Sequence, residues 1–268
     1  MTKAKKDRVE RIVKPYLTGK MIDRTLPGGA LKFFGFMALM FFMYFMSLIV
    51  ASMDSRVLTI LINTAIILTT WLIFWQSGQG SGADAVNQGE IMHQRLEKGR
   101  PVADWEREMC YHPLKGFIMA LVGSLPLVLC CLALALIAKR QMTSIGVLPS
   151  WVGSFEGRPE IGNGLSYYHQ EATLSAEAIL RLLVHVAVMP FVSIVGAENK
   201  DAILLLERLS PVVTLIPAVV YGVGYAMGTQ QRALVHGNIA LGKQKQQKKQ
   251  RREQRARQKA RGESQTLN

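Results

Sequence analysis

Three ionisable residues at the start of one apolar stretch have the clearest potential for chemistry. Glu177, Arg181 and His185 are spaced four residues apart, so they share one face if the stretch is helical. Ionisable groups at membrane depth are costly and usually face a cavity or a partner. The pattern predicts the polar lining of a substrate or proton path. The alternative is an ion pair at the membrane interface, with the charged end of Arg181 extended to water.

A later apolar stretch carries a second polar face. Its members are Glu207, Ser210, Thr214, Tyr221 and Tyr225. The two faces could meet, although spacing alone does not establish contact. The candidate intramembrane polar stripe therefore consists of Glu177, Arg181, His185, Glu207, Thr214 and Tyr221.

Other reactive residue types lack the spacing that catalysis or metal binding requires. Cys110, Cys130 and Cys131 form neither a disulfide framework nor a zinc pattern, and the five histidines are scattered. The segment "GQGSG" lacks the Lys-Ser/Thr ending of a phosphate-binding loop. We expect no catalytic, cofactor-binding or metal site, and we do not expect an enzyme. The small residues of "YGVGYAMG", which include Gly224 and Gly228, predict close helix packing.

Five apolar stretches must position these residues. A helix that spans a bilayer needs roughly 20 mostly apolar residues, and a helix satisfies its own backbone in lipid. The chain has 268 residues, of which 49% are hydrophobic and 19% charged. The stretches are residues 30–53, 57–75, 117–138, 179–196 and 204–227. The sequence predicts an all-α integral membrane helix bundle with about five hydrophobic segments.

Positive charge indicates the orientation, because Lys and Arg accumulate on the cytoplasmic side of membrane helices. Eight lie in residues 1–24 and five in residues 76–116, against three in residues 139–176. We predict a basic cytoplasmic segment (1–29), a transmembrane hairpin (30–75), a cytoplasmic loop with short helices (76–116), a transmembrane helix (117–138), an extracytoplasmic loop (139–176), two hydrophobic segments (177–228) and a basic cytoplasmic tail (229–268). We interpret "SGQGSGAD" at the start of the first loop as a flexible linker.

The number of crossings depends on the fourth stretch. Five crossings would place the basic tail outside, against the charge bias. The fourth stretch is the candidate that does not cross fully, because it is short and contains Arg181, His185 and Pro190. An extra crossing within "SIGVLPSWVGSF" would also make the number of membrane crossings even, but that segment is short for a span. We expect both termini in the cytoplasm and the protein in a plasma membrane.

The C-terminal tail reads "GKQKQQKKQRREQRARQKARG", with ten Lys or Arg between residues 243 and 261. Its composition favours helix, whereas repulsion between its charges favours disorder, so we expect a disordered or helical tail. It lacks an apolar face for insertion into lipid. The candidate polyanion-binding residues are Lys248, Lys249, Arg251, Arg252, Arg255 and Arg257. Anionic lipid headgroups are the expected partner, and the ribosome or RNA is the alternative.

This order of spans followed by a basic tail resembles the bacterial membrane insertase family in outline. The resemblance implies a hydrophilic groove with an intramembrane arginine, for which Arg181 is the matching residue. The cytoplasmic hairpin that follows the first span in that family has no counterpart, because "SMDSR" is too short. The sequence therefore does not assign the chain to that family. We expect a non-catalytic membrane scaffold or assembly factor, with a transporter subunit or small carrier as the alternative.

Overall fold

The structure, a computed structural model, describes residues 11–51, 55–138, 158, 176–196 and 199–266, with side chains through residue 254. Within these ranges the elements are α-helices, and four are long and apolar enough to cross a membrane, or five if one bent helix pair counts as a span. This confirms the predicted all-helical chain with about five apolar segments. The turn at residues 52–54 and most of the predicted loop 139–176 lie outside the described residues.

The helices follow the apolar stretches, with differences in length and continuity. They are α1 (Leu26–Phe45), α2 (Ser47–Ala51), α3 (Arg56–Glu97), α4 (Asp104–Glu108), α5 (Lys115–Ile137), α6 (Ala176–Ala187), α7 (Met189–Val195), α8 (Lys200–Ala226) and α9 (Gly228–Thr266). Helix α3 continues far beyond its apolar stretch. The fourth stretch is divided between α6 and α7, which are bent by 85°. The basic tail is helical, which agrees with the second of the two predicted forms, disordered or helical.

Two compact units divide the described chain. The terminal unit contains Met1–Gly29, Ile73–Ala120 and Val219–Asn268, and the central unit contains Ala30–Leu72 and Leu121–Ala218. Each unit combines segments that are distant in sequence.

Glycines pack the helices of the terminal unit closely. Gly78 and Gly82 of α3 lie against the backbone of Tyr221 and Tyr225, and Gly82 also meets Gly228. A side chain at either α3 position would overlap that backbone, so only glycine allows this approach. The flexible linker predicted for "SGQGSGAD" is wrong, because glycines four residues apart form a contact face on one continuous helix. The close packing predicted for Gly224 and Gly228 is observed.

An extended segment without helical structure crosses the terminal unit before α1. We call residues 11–25 the N-terminal strap. Its backbone N–H groups donate to helix and loop carbonyls: Ile12 to Ala233 (3.2 Å), Leu17 to Gly89 (3.1 Å) and Gly19 to Tyr111 (2.9 Å). The strap is therefore anchored by its backbone to three other parts of the unit.

Helix breaks in the central unit are accompanied by buried polar groups. Ser47, the first residue of α2, donates to Asn63 Oδ1 (2.6 Å), and its hydroxyl lies 3.0 Å from that of Ser193 on α7. Helix α7 starts with Pro190 near its first position. Proline lacks the N–H that would continue a preceding helix, which explains why α6 ends at Ala187.

Large apolar side chains are exposed along the long helices. Leu31 and Phe42 of α1, Leu61 of α3 and Leu136 of α5 are all exposed. Apolar surface of this extent is typical of helices that face lipid or a partner, which agrees with their length and composition.

Candidate functional site

The predicted polar stripe of α6 binds a carboxylate of α8 within the central unit. Arg181 Nε lies 2.9 Å from Glu207 Oε1, and His185 Nε2 lies 2.8 Å from the same oxygen. Glu177 is a weaker partner of Arg181 at 3.4 Å, and its side chain is partly exposed. The spacing on α6 thus does place both cations opposite Glu207. We call Arg181, His185 and Glu207 the Glu207 cluster.

The Glu207 cluster is largely removed from the protein surface. The exposed fraction of the side chain is 4% for Glu207, 13% for Arg181 and 26% for His185. A buried carboxylate is stable only when it is paired and hydrogen-bonded. Arg181 and His185 supply the paired charge and the hydrogen bonds that Glu207 needs. Of the three side chains, His185 has the largest exposed fraction.

Hydroxyl groups that follow Glu207 on α8 bond to the backbone of their own helix. Ser210 Oγ donates to Glu207 O at 2.7 Å, and Thr214 Oγ1 donates to Ser210 O at 2.9 Å. Such bonds satisfy a buried hydroxyl without a partner from another helix. Thr214 therefore contributes a buried polar position on α8, with its hydroxyl turned to the helix backbone.

Tyr221 and Tyr225 belong to the terminal unit instead of the unit that holds Glu207. Both are buried. The ring of Tyr225 stacks on that of Tyr111 with centroids 5.6 Å apart, and Tyr111 donates from its hydroxyl to Ala226 O at 2.8 Å. The predicted stripe is thus distributed over two structural settings, of which Glu177, Arg181, His185 and Glu207 form one.

A second charged cluster, which sequence reasoning missed, lies in the terminal unit. His236 Nε2 of α9 lies 2.8 Å and 2.9 Å from the two carboxylate oxygens of Glu90 on α3. Arg232 donates to Glu90 Oε2 from Nε (3.2 Å) and Nη2 (3.1 Å), and also to the amide oxygen of Asn87. We call Asn87, Glu90, Arg232 and His236 the Glu90 cluster.

One signal in the sequence could have indicated this cluster. Of the five histidines, His185 and His236 each follow an arginine by four residues. In both cases this pair shares one helix face and binds a single glutamate. The glutamate itself could not be identified, because Glu90 lies 142 residues from Arg232 in the chain.

A third buried ion pair joins the N-terminal strap to the start of α5. Lys115 Nζ donates to Asp23 Oδ2, and both side chains are almost completely buried. Burial by itself would raise the pKa of Asp23. The hydrogen bonds from Lys115, from the Thr25 hydroxyl (2.7 Å) and from the Thr25 N–H (2.8 Å) outweigh that effect and hold the pKa below its usual value.

From residue 242 onward, the basic tail is a helix whose described side chains are exposed on every side. Residues 242–254 of α9 are all exposed, and Lys249 forms a long ion pair with Glu253, at 3.9 Å. Of the predicted polyanion-binding residues, Lys248, Lys249, Arg251 and Arg252 are in this described range. Arg255 and Arg257 continue the same helix.

Metal-ligating groups and cysteine thiols are the remaining reactive side chains among the described residues. No group of three His, Cys, Asp or Glu there could hold a metal ion. Cys110 and Cys131 are buried and Cys130 is half-buried. Burial raises the pKa of the Cys110 thiol despite the nearby Lys115 and Arg107, so this thiol is not activated as a nucleophile.

Comparisons with protein-family models, curated proteins and solved structures found no match to this chain. The site is therefore defined by its own geometry: two buried glutamates, each bound by an Arg-x-x-x-His pair, and an exposed basic helix that continues from one of these pairs.

Proposed function

We propose that this chain is a non-catalytic, multi-pass membrane scaffold or assembly factor whose basic helix binds an anionic surface. One observation carries the proposal. Helix α9 is continuous from Arg232 and His236, which bind Glu90, to the exposed basic residues of the tail. The beginning of the helix is anchored in the terminal unit, and its basic part is left open to a partner.

The charge distribution of the tail favours binding by electrostatics alone. At about 100° per residue, Lys245, Lys248, Lys249 and Arg252 share one face of α9, and the opposite face carries Lys243 together with Gln246, Gln247, Gln250 and Gln254. No aromatic side chain is present between residues 243 and 261 to stack on bases. We therefore favour anionic lipid headgroups. Their attraction for each basic residue near the membrane surface contributes a binding free energy of about 1 kcal/mol.

The same proposal places both termini in the cytoplasm of a plasma membrane. Four long apolar helices would give an even number of crossings, and the 85° bend between α6 and α7 supports a re-entrant or broken fourth segment. A reporter that is active only outside the cytoplasm, fused after Asn268, should be inactive. Activity of that reporter would contradict the proposed topology.

A charge-neutral variant of the tail tests the binding proposal. We expect K248Q/K249Q/R251Q/R252Q in full-length protein, held in uncharged nanodiscs, to bind vesicles of phosphatidylglycerol at least about tenfold more weakly than wild type at low salt. The matched control, Q246A/Q247A/Q250A/Q254A, changes four uncharged residues of the same part of the helix and should bind like wild type. Both variants retain good helix formers.

Two outcomes would decide against lipid as the partner. Equal vesicle binding by both variants would show that the tail does not recruit anionic lipid. Salt-sensitive binding to RNA or ribosomes that only the charge-neutral variant loses would assign the tail to nucleic acid instead. The salt dependence should be measured in both assays, because counterion release gives RNA binding a steep slope.

A second candidate function, a transporter subunit or small carrier, is favoured by the Glu207 cluster. Glu207 lies buried in the apolar helix α8 and is bound from α6, which ends at a sharp bend. Ionisable groups in such helices often serve ion or proton pathways. Proteoliposomes with a trapped pH-sensitive dye and an imposed potential test this role. Proton flux that E207Q abolishes would support the carrier, and flux equal to that of protein-free vesicles would reject it.

A further inference from the structure

A cavity of about 310 Å³ lies in the terminal unit, where the N-terminal strap passes α3 and α9. Its charged and polar lining includes Arg11, Lys14, Tyr16, Glu90, Thr229 and Arg232, and Val86 and Ala233 form part of an apolar wall. The volume is at the lower end of the range for small-molecule sites, roughly 300–1,000 Å³. The cavity is therefore large enough for a small ligand.

The charges that line the cavity are not balanced within the described residues. Both oxygens of Glu90 are engaged by His236 and Arg232, so Arg232 compensates this carboxylate. No carboxylate in the described part of the chain lies within ion-pair distance of Arg11 or Lys14. Two cationic side chains at the cavity therefore lack a counter-charge there.

We propose that this cavity binds a phosphate ester. A phosphate monoester carries about −1.5 to −2 charges near neutral pH, which matches Arg11 and Lys14 together, whereas a monocarboxylate would compensate only one of them. Guanidinium and ammonium groups both bind phosphate oxygens well. Tyr16 and Thr229, two residues whose hydroxyls are neutral donors, belong to the same lining. The Arg232–Glu90 ion pair lines the cavity beside the ligand, and its charges compensate each other.

The strap should keep its position when the two cations are removed. It is held by backbone hydrogen bonds, including Ile12 N–H to Ala233 O, and Arg11 and Lys14 are both exposed. R11A/K14A therefore removes charge without removing these bonds. The matched control, K98A/R100A, removes the same charge from two exposed residues of the terminal unit that do not line the cavity.

The experiment uses full-length protein in uncharged detergent micelles. Calorimetric titration with glycerol 3-phosphate measures a soluble ester, and micelles doped with phosphatidic acid measure the same group on a lipid. We expect saturable binding in at least one arm by wild type and K98A/R100A. R11A/K14A should bind at least about tenfold more weakly, because hydrogen bonds to charged groups are lost. Its unfolding temperature should match that of the control.

The two arms distinguish the source of the phosphate. Binding of glycerol 3-phosphate that R11A/K14A loses assigns a free phosphate ester, and loss in the phosphatidic acid arm alone assigns a lipid headgroup. The basic tail is present in every variant, so lipid binding by the tail cancels when R11A/K14A is compared with K98A/R100A. Equal affinity of these two variants in both arms, or no saturable binding by wild type, would overturn the proposal.

Discussion

The Glu207 cluster and the Glu90 cluster are one ion-pair arrangement in two settings. In each, an arginine and the histidine four residues later bind a buried glutamate on another helix. The exposure of the cations is reversed. Arg181 is 13% and His185 26% exposed, whereas Arg232 is 23% and His236 8% exposed. The more deeply buried partner is thus the permanent charge in one cluster and the imidazole in the other.

This reversal predicts different consequences when the carboxylate is removed. A guanidinium is charged at every accessible pH, so a buried arginine without its partner is a buried uncompensated charge. An imidazole can lose its proton and be buried in the neutral form. We therefore expect the terminal unit to tolerate loss of its glutamate better than the central unit does, although each cluster pairs a glutamate with an arginine and a histidine.

Removal of Glu207 should have the largest effect. We expect E207A to lower the free energy of unfolding by about 3–5 kcal/mol, because it removes the closest carboxylate of the buried Arg181 and leaves the longer ion pair with Glu177. Unfolding can be followed by circular dichroism during titration of detergent-solubilised protein with SDS. The control E177A removes a partly exposed partner of the same arginine and should cost less than about 1 kcal/mol.

Removal of Glu90 should cost less. We expect E90A to lower the free energy of unfolding by about 2–3 kcal/mol, which corresponds to a hydrogen-bonded charge whose arginine partner can still reach water. The control E97A removes an exposed carboxylate of the same helix and should have little effect. A cost for E90A that equals or exceeds the cost for E207A would show that exposure of the arginine does not distinguish the two clusters.

Glycine substitutions sharpen the comparison, because close packing holds the helix that carries Glu90. A side chain at Gly82 would overlap the carbonyl of Tyr225, whereas nothing lies within 4 Å of one at Gly80. We expect G82A to destabilise the protein by about 1–3 kcal/mol. G80A should instead stabilise it by about 0.5–1 kcal/mol, because alanine favours helix. Thermal unfolding of both variants measures the difference. An unchanged stability for G80A would support a flexible segment.

The third ion pair, which contains no histidine, gives a smaller and pH-dependent effect. The pKa of Asp23 is lowered in the folded state, so the ionised carboxylate stabilises the fold at neutral pH. This contribution is lost as the pH falls below the usual carboxyl range toward the folded pKa. T25A removes one hydrogen bond to Asp23, so it should cost about 1 kcal/mol at neutral pH. Because T25A raises the folded pKa of Asp23 toward the unfolded value, the acid loss should be smaller than in wild type and should be complete at a higher pH.

A matched substitution controls for the hydroxyl itself. Thr18 is exposed in the same strap, so T18A should leave both the stability at neutral pH and its pH profile unchanged. Unfolding measured between pH 7 and the acid limit would compare the two variants. Identical profiles for T25A and T18A would contradict the role assigned to the Thr25 hydroxyl.

Much of the architecture followed from local sequence properties. Apolar stretches of spanning length predicted the long helices, and the i, i+4 spacing on α6 predicted that Arg181 and His185 share a face. Pro190 and the shortness of the fourth stretch predicted that this stretch would not form a regular span, and its two helices are bent by 85°. These properties depend on neighbours in the chain, so they can be read without knowledge of the fold.

The sequence by itself determined the helical class, the number of apolar segments and the exposure of a basic tail that has no apolar face to bury. Only the tertiary structure decided which carboxylate each Arg-x-x-x-His pair binds and that the glycines near residue 80 form a contact. Glu90 lies 142 residues from Arg232, and Gly82 packs against a helix more than a hundred residues away. The spacing of apolar and charged residues indicates which face of a segment is buried. The partner against which the segment is buried depends on the packing of distant helices, which leaves no periodic signal in one sequence.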